Sequence, residues 1–496
     1  MKRLGACPNN WRILLSKEGR VRFCQGMSKT FRAWKIDEPL FLPARVGDFV
    51  GEEHLARFVL DLVRDDINLA EITGTYGSER GQPPFDPTMM TALLLYSYCC
   101  GIYASRRIAN ACRERVDFMS IVGLDAPDFR TVSDFRKRHL QVLGKLFGQI
   151  LQLCETAGLV KLGHVALDGT KIKANASKHK AMSYERMENR AAELEAEVAK
   201  WLSAAEAADA AEDKLYGRDK TGDEMPNWVA DKKLRAERIR KAKAELEAEA
   251  KAAAEAKRKA EAAAAEKRAA AGRRKPGRQA APPSTEPDAK DQKNFTDPQS
   301  RIMKSKDGFV QAYNAQAAVD AEAQIIVAHD VTQSPVDCGQ LVPMTDAIET
   351  NLGRKPEQLS ADAGYCSEAN LEALEKRGID AYVATGRARD AVAHAIDGAP
   401  TTTTPPAEPA SAPTRVEAMR AKIKAGGHAS PYRLRKQLPE PVFGQIKQAR
   451  GFRQFLLRGF EMVRAEWAIV CTAHNLLKLA HRRSPSEALP MAAGAG

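Results

Sequence analysis

The spacing of apolar residues changes near residue 160, and this change divides the predicted structure into two regions. Between residues 40 and 160, apolar side chains recur every three or four residues, as in 54–63 and 88–98, which predicts amphipathic helices. From residue 161 onward, short apolar runs alternate with helical stretches, which predicts a mixed α/β region. Its predicted elements are a strand ending at Asp168, an antiparallel hairpin over 308–320 and 324–331, helices over 339–352 and 368–377, strands carrying Asp362 and over 381–384, and a final helix over 464–481.

Stretches of biased composition interrupt the second region. Residues 181–275 are rich in Ala, Glu, Lys and Arg, with Glu and Lys at helical spacing, which predicts a long exposed helical hairpin or spacer. The basic, Pro-rich residues 272–290 predict a flexible linker, and the Thr/Pro/Ala-rich residues 397–414 predict disorder. The predicted organisation is an N-terminal extension at 1–39, a helical domain at 40–160, an α/β domain at 161–482 with insertions at 181–300 and 386–430, and a disordered tail at 483–496.

The charge balance points to a polyanionic partner. The 496 residues carry a formal net charge of +12, and a basic excess of this size favours nucleic acid over a merely soluble basic protein. The nine cysteines include no Cys-x-x-Cys pair, so neither a disulfide framework nor a zinc site is indicated, and a reduced, cytoplasmic protein is expected. No apolar stretch reaches the ~20 residues that a membrane span needs. Residues 1–26 lack clear periodicity, and Met27 is expected to be the natural start.

Separated carboxylates carry the candidate chemistry. Asp168 follows the apolar run 165–167, Asp362 lies in the similar phrase 359–365, and Glu440 lies in a basic neighbourhood. An unpaired carboxylate beside a buried strand is costly, and a metal ion or cationic partner offsets that cost. Mg²⁺ prefers oxygen ligands, so the pattern suggests two-metal chemistry on a nucleic-acid phosphodiester. The alternative is that both aspartates are turn residues, since Asp near Gly favours turns.

The ordered set of motifs resembles the DDE transposases of bacterial insertion sequences over about residues 27–482. The phrases that carry the resemblance are Asp168-Gly-Thr-Lys-Ile-Lys-Ala-Asn-Ala-Ser-Lys, Ala-Asp362-Ala-Gly-Tyr and Glu440-Pro-Val-Phe-Gly-Gln-Ile-Lys. The helical part, from about 49 to 136, resembles the DNA-binding domain that accompanies such catalytic domains. The resemblance implies an α/β fold with an RNase H-like mixed sheet, preceded by an all-α DNA-binding domain and interrupted by a long charged helical insertion.

The resemblance also assigns roles to individual residues. It implies that Asp168, Asp362 and Glu440 bind metal and are catalytic. One branch of the family spaces Tyr, Arg, Glu and Lys by two, three and six residues. Here Tyr432 and Arg435 keep the first interval and Glu440 to Lys447 keeps the last, but the middle interval is four residues. Tyr432, Arg435 and Lys447 are therefore expected to hold DNA near the scissile phosphate.

A basic cluster in the helical region is a second candidate for DNA contact. Arg136, Lys137 and Arg138 follow a helix start for which Thr131 or Ser133 is a plausible N-cap. Such a cluster suits backbone or major-groove contact, although an ordinary solvated basic face is an equal alternative.

Other polar residues could compete for a role in the site. Asp320, Asp330 and Asp337 compete for a metal role, but cap or turn positions suit them better. His329 lacks a matching ligand set and is expected to be structural.

The function implied is that of a transposase that binds terminal inverted repeats, cleaves donor DNA by two-metal hydrolysis and joins the 3′-ends to target DNA. The implied cofactor is a pair of Mg²⁺ ions, for which Mn²⁺ can substitute. The implied partners are terminal-repeat and target DNA and a second copy of the chain in a synaptic homodimer, with no membrane. The expected location is the bacterial cytoplasm, at the nucleoid. The alternatives are an inactive DNA-binding remnant and a metal-dependent nuclease without strand transfer.

Overall fold

The structure is a computed structural model that describes residues 11–15, 21–25, 45–76, 83–216, 227–270, 283–305, 308–386 and 413–482. Several sequence predictions lie outside these residues: the tail at 483–496, most of the disordered segment at 397–414, much of the linker at 272–290, and the start at Met27.

The N-terminal extension contains regular structure that the apolar pattern did not predict. Strand β1 (Trp11–Leu15) pairs antiparallel with β2 (Val21–Gln25). Both strands contain β-branched and aromatic residues, which favour extended backbone. Each strand has only five residues, which is too short for a clear apolar period.

Helices occupy the first region, as its period predicted. They are α1 (Leu55–Asp65), α2 (Ala70–Thr73), α3 (Pro87–Cys99), α4 (Ser105–Glu114), α5 (Val116–Val122) and α6 (Phe129–Thr156). Asp86 caps α3 by accepting from the backbone N–H groups of Thr88 and Met89. Asp128 caps α6 by accepting from Arg130 N–H, so the predicted caps at Thr131 and Ser133 were wrong by one turn. The caps fix where these helices begin.

A mixed six-stranded sheet forms the centre of the second region. Its strands are β3 (His164–Lys173), β6 (Arg301–Ser305), β7 (Gly308–Asp320), β8 (Ile326–Thr332), β9 (Gln358–Ala361) and β10 (Asp380–Val383). The order is β10-β9-β3-β7-β6, with β8 on the same edge of β7 as β6. Strands β3, β9 and β10 run parallel, and β7 is antiparallel to β3, β6 and β8.

Helices follow the strands and pack against the sheet, and the last of them ends at Arg482. They are α9 (Leu341–Leu352), α10 (Glu368–Lys376), α11 (Arg415–Gly426), α12 (Leu434–Gln437), α13 (Pro439–Gly444) and α14 (Phe460–Arg482). Between α13 and α14, residues Gln445–Ala449 form a single π-helical turn. Helix α11 lies inside the segment 386–430, whose sequence had predicted only a low-complexity insertion.

The charged insertion forms a helical hairpin. It consists of β4 (Ala181–Ser183), α7 (Tyr184–Tyr216), α8 (Asn227–Ala270) and β5 (Gln292–Asn294), with β4 and β5 paired at its base. A small apolar core joins the two helices through Met187, Leu194 and Ile239. Ion pairs such as Arg240 with Glu195 flank it. The Glu–Lys spacing therefore predicted the helices, while the seam between them is a tertiary feature.

The helical region and the sheet share one core. Buried side chains of α3 and α6 belong to the same apolar cluster as those of β3, β8 and α14. Helices α6 and α14 approach closely at Gly144, where an added Cβ would lie 3.6 Å from the Cβ of Ala468. In the part of the chain that the structure describes, no helix combines the length and apolarity that crossing a bilayer requires.

Candidate active site

The strand register brings Asp168 and Asp362 together. Strand β9 pairs in parallel with β3 as far as Ala361 opposite Leu167, so the next residue on each strand is an aspartate. Strand β3 continues to Lys173, so Asp168 lies within the strand and not at its end as predicted. The two carboxylates therefore meet at the point where β9 leaves the sheet.

Backbone amides orient both carboxylates. The N–H of Gly169 donates to Asp168 Oδ1 at 2.8 Å, and the N–H of Gly364 donates to Asp362 Oδ1 at 2.7 Å. Asp362 thus caps the turn that follows it, while Asp168 binds the next amide of its own strand. The turn interpretation therefore holds for Asp362, which precedes the 3-10 turn Ala363–Tyr365, but is wrong for Asp168, which lies inside β3.

The pKa of Asp168 is raised to about 6, mainly by burial and also by the nearby carboxylates of Asp362 and Asp337. The hydrogen bond from Gly169 and the charge of Arg435 lower it and only partly oppose that rise. Like charges held this close favour a proton or a cation between them. For Arg435, burial opposes the charged form, but the bond to Tyr432 and the two aspartates raise its pKa overall. Arg435 is thus a cation held beside the aspartate pair.

The segment from Tyr432 to Lys447 packs across the strand ends. The guanidinium of Arg435 donates from Nη1 to the hydroxyl of Tyr432 at 3.0 Å, while its Nε is buried without a hydrogen-bond partner. Lys447 Nζ donates to Thr170 Oγ1 at 2.5 Å and to the carbonyl of Lys171 at 2.8 Å. The structure therefore places Tyr432, Arg435 and Lys447 at the aspartate pair, with Lys447 fixed just beyond Asp168.

Glu440 occupies a different position from the aspartates. It lies in the first turn of α13 and is exposed, although α13 itself packs against β3. Among the described residues, no three His, Cys, Asp or Glu side chains are arranged as a metal-binding group. The aspartate pair alone fits the oxygen chemistry of Mg²⁺, because such sites need only one or two carboxylates and keep several waters.

Asp337 occupies the N-cap position of the 3-10 turn Cys338–Gln340, as the cap or turn interpretation predicted, but its side chain lies close to the aspartate pair. Its side chain caps no backbone N–H at the turn that precedes α9. Instead its Oδ1 accepts from Asn314 Nδ2 at 2.5 Å and Gln316 Nε2 at 2.8 Å, and it lies 3.5 Å from Lys171 Nζ. Nothing in the local sequence distinguishes Asp337 from a cap, because its partners are on β3 and β7. The polar residues Asn314 and Gln316 of the buried strand β7 are the available signal.

The other competing residues are structural. Asp320 accepts from the backbone N–H groups of Leu162 and Glu322, as a turn residue does. Asp330 pairs with Arg464 at 2.8 Å. The ring of His329 lies edge-on to Phe147 at 4.3 Å between centroids, and burial lowers its pKa to about 4, so it is neutral in the core.

The basic cluster on α6 consists of one buried and two exposed residues. Arg136 is buried and donates to the carbonyl of Tyr103 at 2.7 Å and to Ser105 Oγ at 3.2 Å, which differs from the surface position that the sequence predicted. Lys137 and Arg138 are exposed. Successive residues of a helix point 100° apart, so three adjacent basic residues cannot all share the solvent face.

Comparison with known families identifies the class of the protein. The family model described as Transposase domain (DUF772) matches residues 44–138, and the model described as Transposase DDE domain matches residues 284–476. The second match includes Asp362 and Glu440, while Asp168 lies between the two matches. Comparison with curated proteins and with solved structures gives no match. The paired domains define a transposase of the DDE class. The chain is accordingly identified as a DDE transposase.

Proposed function

We propose that this transposase cleaves the ends of an insertion sequence by two-metal hydrolysis and joins the freed 3′-ends to target DNA. The observation that carries the proposal is the register that places Asp168 and Asp362 side by side, with Arg435 and Lys447 next to them. The proposal includes an RNase H-like sheet, an all-α DNA-binding region before it, and a dimer that holds two ends together. The mixed sheet and the helices over 55–156 support the first two parts.

Asp168 and Asp362 are proposed to hold Mg²⁺, which Mn²⁺ can replace. When bound, a pair of such ions activates water or a 3′-hydroxyl and stabilises the leaving oxygen of an in-line displacement. Glu440 is proposed as the third acidic residue. A carboxylate can act on Mg²⁺ through a retained water, so its exposed position on α13 is compatible with the role.

The cationic side chains are proposed to hold the DNA backbone. Arg435 can offer a planar fork to a phosphate, and Tyr432 keeps that fork in place through its hydroxyl. Lys447 binds Thr170, which lies two residues after Asp168 on β3, and can contact the neighbouring phosphate. On α6, the exposed Lys137 and Arg138 are proposed to contact terminal-repeat DNA, and Arg136 is not included because it is buried.

The test is cleavage and joining of labelled terminal-repeat DNA by wild type, Asp168→Asn and Asp362→Asn in Mg²⁺. Each variant should cleave roughly 10²–10³-fold more slowly or worse, the scale on which a lost electrostatic contact to a transition state acts. DNA-end binding should remain, since neither aspartate contacts DNA directly in this proposal. Asp346→Asn is the matched control, because Asp346 is an exposed aspartate paired with Arg377 on the surface.

Strand transfer from a pre-cleaved end, read together with the cleavage assay, separates the three possible classes of activity. Strand transfer by wild type supports a transposase, whereas cleavage without joining indicates a nuclease. Binding with neither reaction indicates a DNA-binding remnant. Normal Mg²⁺-dependent cleavage by either asparagine variant would show that the aspartate pair is not the metal site.

A further inference from the structure

The carboxylate of Asp337 lies against the backbone that follows each of the two aspartates. A Cβ added to Gly169, the residue after Asp168, would lie 2.8 Å from Oδ1 of Asp337. A Cβ added to Gly364, two residues after Asp362, would lie 3.5 Å from Oδ2 of the same carboxylate. Asp337 therefore packs directly against the backbone after Asp168 and in the turn after Asp362. A side chain at 169 would have to displace the carboxylate of Asp337 and the amide of Gln316.

Asp337 is itself held in place by three polar groups. Asn314 and Gln316 donate to its Oδ1 at 2.5 and 2.8 Å, and Lys171 lies 3.5 Å away as its ion-pair partner. In the register of β3 and β7, Lys171 is opposite Asn314 and Gly169 is opposite Gln316. Opposed residues of paired strands project to the same face, so these side chains form one cluster on the face of β3 opposite to that of Asp168.

The cluster continues into the turn that carries Asp362. The hydroxyl of Tyr365 donates to Oε1 of Gln316, whose Nε2 donates to Asp337. Tyr365 is fully buried. A continuous chain of polar contacts therefore runs from Lys171 on β3, through Asp337 and Gln316, to Tyr365 in the second turn. A fully connected polar network in a low-dielectric interior rigidifies the elements that it joins.

We propose that Asp337 is a positioning residue that fixes the separation and orientation of Asp168 and Asp362. It lies against the backbone that follows each of them, pairs with Lys171 of β3, and is linked through Gln316 to Tyr365 in the turn after Asp362. Lys171 is the ion-pair partner of its carboxylate at 3.5 Å. Outer contacts that orient ligating carboxylates usually change metal affinity or activity 10–100-fold when they are removed. This inference rests on the proposed function of the aspartate pair.

The experiment compares Asp337→Asn with the control Asp346→Asn in the full chain. Asparagine keeps the shape of Asp337 but places an amide against Lys171 or against the two donor amides. We expect Mn²⁺, titrated alone, to bind Asp337→Asn roughly 10–100-fold more weakly than wild type. We expect faster amide exchange in peptides covering 165–171 and 361–366, with DNA-end binding unchanged. The control should match wild type in all of these measurements.

A second variant tests the same network without changing charge. Gln316→Leu removes the bonds from Gln316 to Asp337 and Tyr365, and an apolar side chain suits this fully buried position. It should increase amide exchange in 361–366 more than in 165–171, because Asn314 and Lys171 still hold Asp337 near β3.

Two results would overturn the inference. One is wild-type Mn²⁺ affinity and amide exchange in Asp337→Asn. The other is unchanged exchange at 361–366 in a folded Gln316→Leu variant. If wild type neither cleaves DNA nor binds Mn²⁺, the proposed function fails, and the amide-exchange comparison still decides whether Asp337 positions the two segments.

Discussion

At the residue scale, the same side-chain type takes different roles according to what surrounds it. Asp320 binds backbone N–H groups, whereas Asp337 binds side chains from β3 and β7 and lies in the candidate site. Glu466 is a further case, a fully buried carboxylate on α14 that accepts from the backbone N–H groups of Leu456 and Leu457. It fixes the loop that runs beside β3 just beyond the site.

Glu466 predicts a pH-dependent contribution to stability. Burial raises its pKa from 4.5 to about 7, partly opposed by the two backbone bonds and Arg136. A carboxyl group whose pKa is higher in the folded state binds a proton more tightly there. The native state is therefore favoured at low pH, and this contribution is lost as the pH rises from about 4.5 to about 7. The linkage is on the order of 3 kcal/mol over that window.

The measurement is the Tm of wild type and Glu466→Gln at pH 5.5 and pH 8. Glutamine keeps an acceptor for Leu456 and Leu457 but has no ionised form. The Tm of Glu466→Gln, relative to that of wild type, should therefore increase as the pH rises. Glu461→Gln, at an exposed position of the same helix, is the control and should show no such trend. A difference between Glu466→Gln and wild type that stays constant with pH contradicts the prediction.

At the element scale, the segment from α12 to the π-helical turn delivers the cationic groups of the site. The π turn over Gln445–Ala449 changes the helical period just where Lys447 must reach β3. Such insertions occur mostly at functional positions, because they re-aim a side chain at a local cost. Two turns of a regular α-helix would place Glu440 and Lys447 on one face. The structure instead gives Glu440 an exposed position and Lys447 a half-buried one.

Lys447→Ala should slow cleavage through two losses. It removes a positive charge near the scissile phosphate, which should lower the salt dependence of DNA binding by roughly one phosphate contact. It also removes the bonds to Thr170 and Lys171 that hold β3 beside Asp168. Lys447→Arg should restore part of the binding but not the full rate, because a planar fork replaces a point charge.

Lys436→Ala is the matched control for Lys447, since Lys436 is an exposed lysine on neighbouring α12. It should leave the cleavage rate close to that of wild type. A loss of rate in Lys447→Ala with no change in the salt slope would assign Lys447 a purely structural role. Wild-type behaviour in both measurements would remove it from the site.

At the scale of the whole molecule, the helical region and the sheet are parts of one core. The thiol of Cys99 on α3 donates to the carbonyl of Ala473 at 3.6 Å, and Cys154 on α6 donates to the carbonyl of Asn475 at 3.8 Å. Helix α14 thus lies between the two regions that the sequence had divided at residue 160. The exposed basic residues of α6 that are proposed to contact DNA therefore belong to the same core as the candidate active site.

The close approach of α6 and α14 gives a prediction for the full chain. Gly144→Leu should lower the Tm, because the larger side chain must displace Ala465 and Ala468, and overpacking costs about 1–3 kcal/mol. Gly148→Leu is the control on the next turn of α6, where an added Cβ meets nothing within 4 Å. It should be neutral or stabilising, since leucine favours helix over glycine by up to ~1 kcal/mol. Equal Tm values for the two variants would show that the two helices do not pack this closely.

The sequence by itself determined the features that depend on local pattern. Apolar spacing predicted the helices before residue 160 and most strands after it, since helix and strand periods are set within a few residues. Asp168 and Asp362 were found because each carboxylate adjoins an apolar run, and the order of the motifs indicated the transposase class that the family models confirm. These are properties of short segments and of their order.

Only the tertiary structure decided which distant residues share an environment. The burial of Arg136, the inclusion of Asp337 in the site and the common core of α6 and α14 all depend on partners far away in the chain. Side-chain partners across a sheet follow from strand register, and a shift of one residue would turn each side chain to the opposite face. Local sequence constrains the face that a residue presents, but it does not specify the partner that covers that face. That is why the sequence predicted both aspartates of the pair but not the carboxylate that packs behind them.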